Sequence, residues 1–215
     1  MVAATTTSSM VVLLGIMAAF LAATVAHGSV DVEHQGKPQY KTGDLVANSC
    51  ANVRPYDWTP LLPRRMCEST LRSDKHSATA KTELDLVLVA MDLLQSAAAK
   101  VDGVLRNNYS GSGRHGKSTA LAVQYCRLDY AAVARTVPMC RAMVQEYNPE
   151  HPNLGNDYYD CVARLGNAAA NCWGYVLVDN ELAKAVSKEV GEVFQRATLV
   201  RAMIEVMIGF PDSNN

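Results

Sequence analysis

Eight consecutive residues match a nucleotide-binding pattern to the letter. Gly111-Ser112-Gly113-Arg114-His115-Gly116-Lys117-Ser118 reads G-x-x-x-x-G-K-[ST], the loop whose backbone N–H groups cradle phosphates. That chemistry needs a buried strand ahead of the loop, so that the amides converge on one point. What precedes this loop is a helix-patterned segment, and Asn108-Tyr109-Ser110, a glycosylation acceptor, abuts it. The overlapping Gly111, Gly113 and Gly116 of a G-x-G-x-x-G pattern fail the same requirement. The segment is therefore expected to be an exposed loop, with no cofactor.

The other residue types capable of chemistry do not converge. His27, His34, His76, His115 and His151 fall singly in predicted loops or at helix starts. None has a His or Cys four residues on, and H-E-x-x-H and C-x-x-C are both missing. Asp157-Tyr158-Tyr159-Asp160 offers two carboxylates, but it reads as the solvated start of a helix, where acids suit the dipole. No Ser/His/Asp or Cys/His arrangement is legible. The expectation is a non-enzyme without a metal.

The cysteines have a spacing with consequences. Cys126 and Cys140 lie fourteen residues apart, about four helical turns; Cys161 and Cys172 lie eleven apart, about three. Each pair thus occupies roughly one face of its own helix. If the two helices run antiparallel, Cys126 faces Cys172 and Cys140 faces Cys161, as nested staples across a hairpin. Cys50 and Cys67 have no obvious other partners and are expected to close an N-terminal arm, worth roughly 3 kcal/mol in the chain-entropy model. Six thiols formally allow fifteen pairings.

Such a framework needs an oxidising compartment, and the N-terminus supplies a route to one. From Met10 to Ala26 the chain is apolar over a length that suits a signal-peptide core and is short for a membrane span. Met1 to Ser9 carries no Lys or Arg, and a signal anchor is the alternative reading. With cleavage after Ala26, residues 1–26 form the signal peptide, 27–42 a flexible mature N-terminus and 43–210 one domain. No later segment is apolar enough to cross a membrane. A net charge of −1 and pI near 6.5 leave no basic footprint for nucleic acid.

The elements that must position these residues are helices. Gly43 to Cys50 starts a short one capped by Asp44; a proline-rich segment follows to Pro63, and Cys67 to Leu71 is helical again. Leu84, Val87, Met91, Leu94, Ala98, Val101 and Leu105 step by three and four through three heptads, the pattern of bundle helices. A second helix from near Ser118 places Leu121, Tyr125, Leu128 and Ala132 on one stripe. Pro138 is expected to interrupt and kink it, with helix resuming through Met143. A third helix spans about Asp157 to Val176. The last runs from about Glu181 to Ile208 on Leu182, Val186, Val190, Val193, Ala197, Val200, Ile204 and Met207, stopped by Gly209 and Pro211. Short connections make this an all-α, up-down-up-down four-helix bundle with an N-terminal helical arm, stapled by disulfides.

Three segments carry a resemblance. Cys67-Glu68-Ser69-Thr70-Leu71-Arg72-Ser73-Asp74 resembles the C-x-x-x-L-x-S-D motif after the second cysteine of the plant invertase and pectin methylesterase inhibitors. Ala120 to Val133 is similar to their A-L-x-x-C-x-x-x-Y-x-x-A-V segment, and Leu165 to Cys172 to the segment ending in their fourth cysteine. The likeness spans about Val46 to Gly209. It implies pairing of Cys50 with Cys67 and of Cys126 with Cys172, and a secreted, non-catalytic protein of the cell wall (apoplast) or vacuole. Such a protein binds a carbohydrate enzyme and blocks its cleft with the bundle and the arm. Departures are also visible: Cys140 and Cys161 are additional, the Cys50–Cys67 segment is longer and richer in proline, and Pro138 breaks a helix that normally continues. The Pro-Lys-Phe element linked to invertase contact is absent, and Trp173-Gly174-Tyr175 follows the fourth cysteine. These tilt the expected partner toward pectin methylesterase, with acid invertase as the alternative. A secreted helical carrier of a lipid or other small ligand is the remaining class. It needs an apolar cavity, whereas Ala98, Ala132 and Ala197 at seam positions favour tightly packed helices.

Overall fold

The computed structural model describes residues 43–53, 62–109, 115–148 and 155–208. Outside them lie the expected signal peptide with Ala26, the stretch 27–42, most of the proline-rich segment, and Gly111 to Arg114. His27, His34, His151, Gly209 and Pro211 lie outside them as well.

Six α-helices make up the described chain, with no strand among the described residues. They are α1 (Leu45–Asn52), α2 (Arg64–Arg72), α3 (Glu83–Tyr109), α4 (Lys117–Gln145), α5 (Gly155–Val178) and α6 (Asn180–Met207), with a 3-10 turn at Lys75–Ala78. Their starts follow capping chemistry. The Asp44 carboxylate accepts the Ala47 N–H at 3.2 Å, and Asp179 accepts those of Glu181 and Leu182 at 3.0 Å. Ahead of α3, the Asp85 carboxylate accepts the Thr82 N–H at 2.9 Å while the Thr82 hydroxyl oxygen accepts that of Asp85 at 3.2 Å. Thr-x-x-Asp is thus a reciprocal capping box. This sequence-readable signal marks the start of α3 to the residue. At its far end α3 runs on through Asn107 and Asn108 to Tyr109, past the expected start of the loop, because no glycine or proline stops it before Gly111.

The heptad positions of α3 and α6 are buried, apart from partly exposed Leu84 and Met207. In α4 the expected stripe is the wrong one. Leu121, Tyr125 and Leu128 are exposed and Ala132 is half-buried, so Ala132 is no seam residue. The buried stripe is Val123, Cys126, Tyr130, Val133, Val137, Cys140 and Val144, which steps by three and four just as regularly. Both half-cystines of α4 lie on it.

Nor does Pro138 interrupt α4, which is helical from Lys117 to Gln145. An interior proline costs about 3 kcal/mol. Burying Val133, Val137 and Val144 on the same stripe contributes roughly 1.5–3 kcal/mol each, and Pro138 itself points to solvent. Burial outweighs the lost hydrogen bond.

Helix α3 packs against α4 and α6, and α5 packs against the same two. Along α3 and α4, Arg141 pairs with Asp92 while Arg127 reaches Asp102 at 3.2 Å. Along α3 and α6, Arg196 Nη1 donates to the Leu93 carbonyl at 2.7 Å. Between α5 and α6, Trp173 covers Gly191, where an added Cβ would stand 3.2 Å from the ring. Helices α1 and α2 pack on each other and on α3, with α1 also touching α6. Arg72 ties them by pairing with Asp44 at 2.5 Å, and Arg64 by donating to the Ala47 carbonyl at 3.0 Å.

Candidate protein-binding surface

Three disulfides join Cys50 to Cys67, Cys126 to Cys172 and Cys140 to Cys161, with Cα–Cα distances of 5.8, 4.5 and 5.7 Å. The first closes α1 onto α2, and the other two clamp α4 to α5. All six half-cystines are buried. Asn108, the glycosylation acceptor, is exposed in the last turn of α3.

The residues weighed for chemistry stay apart. His76 Nδ1 lies 2.9 Å from Asp74 Oδ1 on the surface. His115 meets the Glu181 carboxylate and the Asn108 carbonyl. Gly116 is the N-cap of α4, and the element before the loop is α3, a helix rather than the strand a phosphate site requires. Among the described residues no three His, Cys, Asp or Glu side chains could hold a metal together. Tyr158 departs from the solvated helix start expected for it: it is buried, donates to the Met143 carbonyl at 2.9 Å and meets Tyr147 edge-on. Tyr159 stays exposed beneath the Arg201 guanidinium, 5.3 Å from its ring centroid.

The distinctive surface is apolar, and it lies on the clamped hairpin. Leu121, Tyr125, Leu128 and Met139 of α4 are exposed, as are Tyr159, Leu177 and Val178 of α5. Among the described residues no other helix exposes a large hydrophobic side chain. At 100° per residue the four α4 positions fall within a narrow stripe, about 27 Å long at 1.5 Å per residue. Tyr125 stacks on Tyr175 of α5 with ring centroids 5.4 Å apart. One turn further along, Asn171 hydrogen-bonds Asp129, whose carboxyl is held above the usual carboxylate range by burial, against the opposing effect of that hydrogen bond. No family model matches the chain, and no curated protein matches it either. The reading of this surface therefore rests on its own physics. Apolar side chains exposed along one helix face make a candidate docking surface, with exposed Arg135 set between Leu128 and Met139. The buried Tyr130 hydroxyl behind it, pushed up by burial and then by the Asp129 charge, is no acid or base at ordinary pH.

A groove between α3 and α6 offers little to a ligand. It holds about 150 Å³ and is lined by Ser96, Ala97, Lys100, Val101, Glu189, Glu192 and Arg196. Small-molecule sites run from about 300 Å³ and are mostly apolar. This charged groove does not suit a lipid.

The three disulfides imply an oxidising environment. No described helix is long and apolar enough to cross a membrane.

Proposed function

We propose that this chain is a secreted, non-catalytic inhibitor of the invertase and pectin methylesterase inhibitor type. On this reading α3 to α6 form an up-down-up-down four-helix bundle and α1 with α2 the arm. The protein acts in the cell wall, occluding the substrate cleft of a carbohydrate-active enzyme, with pectin methylesterase as the target. The observation that carries it is the apolar stripe on a hairpin clamped by two disulfides. Rigidity matters because docking then immobilises little that was mobile. A stripe about 27 Å long matches the reach of a standard interface, on the order of 800 Å² per partner. The cysteine-containing segments that resemble the family lie on the same two helices and on α2. A signal peptide ending at Ala26 and a glycan on Asn108 belong to the same reading.

Titration of the purified, oxidised protein against a pectin methylesterase and an acid invertase at mildly acidic pH tests the proposal. Stoichiometric loss of pectin methylesterase activity is the expected result. Loss of invertase activity alone reassigns the target, and loss of neither overturns the inhibitor reading.

A further inference from the structure

At one end of the helices, His115 touches two other elements through both of its ring nitrogens. Nδ1 meets the Glu181 carboxylate at the start of α6, and Nε2 lies 3.3 Å from the Asn108 backbone carbonyl at the end of α3. The Tyr109 ring covers the imidazole at 4.6 Å between centroids. A carboxylate and a carbonyl only accept hydrogen bonds, whereas a neutral imidazole carries one donor and one acceptor. Only the imidazolium, with two N–H groups, satisfies both partners at once.

We infer that His115 is a pH-gated latch, joining the entry to α4 to both α3 and α6 when its ring is protonated and releasing one of them when it is not. The groups that meet the ring from α3 and α6 are anionic or neutral acceptors and an aromatic ring. From α6 the ring faces Glu181, with Asp179 close by. From α3 it faces an orphan carbonyl at the negative end of a helix dipole and Tyr109. Burial, Glu181 and Asp179 all push the Tyr109 hydroxyl up, which keeps that group neutral. Lys117 is the nearest cation in sequence on α4 itself, at its exposed first position. A neighbouring contact provides an internal reference: the Thr119 hydroxyl donates to Asp179 at 2.9 Å. Hydrogen bonds from Leu182, Thr119 and Glu181 hold that carboxylate below the usual range, so this link persists wherever histidine titrates. Of the two links only the latch contains an imidazole, the side-chain type that switches charge near neutral pH.

The test is backbone amide exchange in the full mature, oxidised protein at pH about 5.5 and 7.5, each corrected for intrinsic exchange. The reporting amides are Ala120 and Ala183, which donate to the Gly116 and Asp179 carbonyls at 3.0 and 2.8 Å in the first turns of α4 and α6. Their protection is expected to be about two- to fivefold greater at the lower pH, the range for a partly exposed ion pair. Glu181→Gln and His115→Gln should each abolish that difference. Amides flanking Cys126 and Cys172 report an intact fold in every sample. Equal protection at both pH values in the parent, or a difference that persists in either variant, overturns the latch.

Discussion

Asp179 shows how much one side chain can hold. It is the single residue between α5 and α6, it caps α6 through two amides, and it accepts the buried Thr119 hydroxyl. Asp179→Ala removes the cap and leaves the Thr119 oxygen without its partner. The expected loss is about 1–2 kcal/mol, or a Tm lower by roughly 2–8 °C for a domain of this size. Thermal unfolding at pH 6 measures it. Because the folded-state pKa of Asp179 is depressed below 3.8, its contribution is present above that value and is lost as pH falls through the folded pKa. The gap between parent and variant should therefore close in strong acid, not at neutral pH.

At the scale of the element, α4 is the helix where rules compete. It carries a proline seven residues before its C-terminal end and still runs unbroken. Cys140, two residues beyond Pro138, is tied to Cys161. The inner disulfide thus braces the stretch whose own hydrogen bonding proline weakens. Replacing both cysteines, as Cys140→Ser with Cys161→Ser, should cost about 3 kcal/mol. Pro138→Ala alone should recover up to about 3 kcal/mol by restoring an N–H and removing a clash. If bracing is the role of the disulfide, the proline replacement gains more when the bridge is absent. Denaturant unfolding of the four proteins in a double-mutant cycle reads the coupling, expected above about 0.5 kcal/mol. Additive effects would show that the bridge and the proline are independent.

At the scale of the whole molecule, the exposed large hydrophobics among the described residues collect on α4 and α5. Stability does not require all of them there, since Leu128, Met139, Leu177 and Val178 are more than half exposed in the folded chain. Leu128→Asp and Met139→Ala should therefore leave unfolding free energy within about 0.5 kcal/mol of the parent. If the stripe is the docking surface, the same changes weaken inhibition of the target enzyme at least about tenfold, as loss of a central interface side chain does. Inhibition curves measured beside unfolding curves separate the two quantities. Unchanged inhibition would move the contact elsewhere on the molecule.

The sequence by itself determined the elements and some of their joints. Three- and four-residue steps fixed α3 and α6, because a helix with one apolar stripe has only one way to face a core. Asp44 marked a helix start through the chemistry of its side chain. The spacings of Cys126, Cys140, Cys161 and Cys172 contained the antiparallel register that the two disulfides hold. For α4 the sequence offered two apolar stripes, about 140° apart at 100° per residue, and periodicity cannot rank them. Only packing against α3 and α5 selects the stripe bearing Val123, Tyr130 and Val137, leaving Leu121, Tyr125 and Leu128 outside. The cysteines on the buried stripe were the overlooked signal, since a half-cystine bridging two helices must lie between them. The meeting of His115 with Glu181 was not legible at all. Those residues are sixty-six positions apart, and no local pattern encodes a contact made only when whole helices come together.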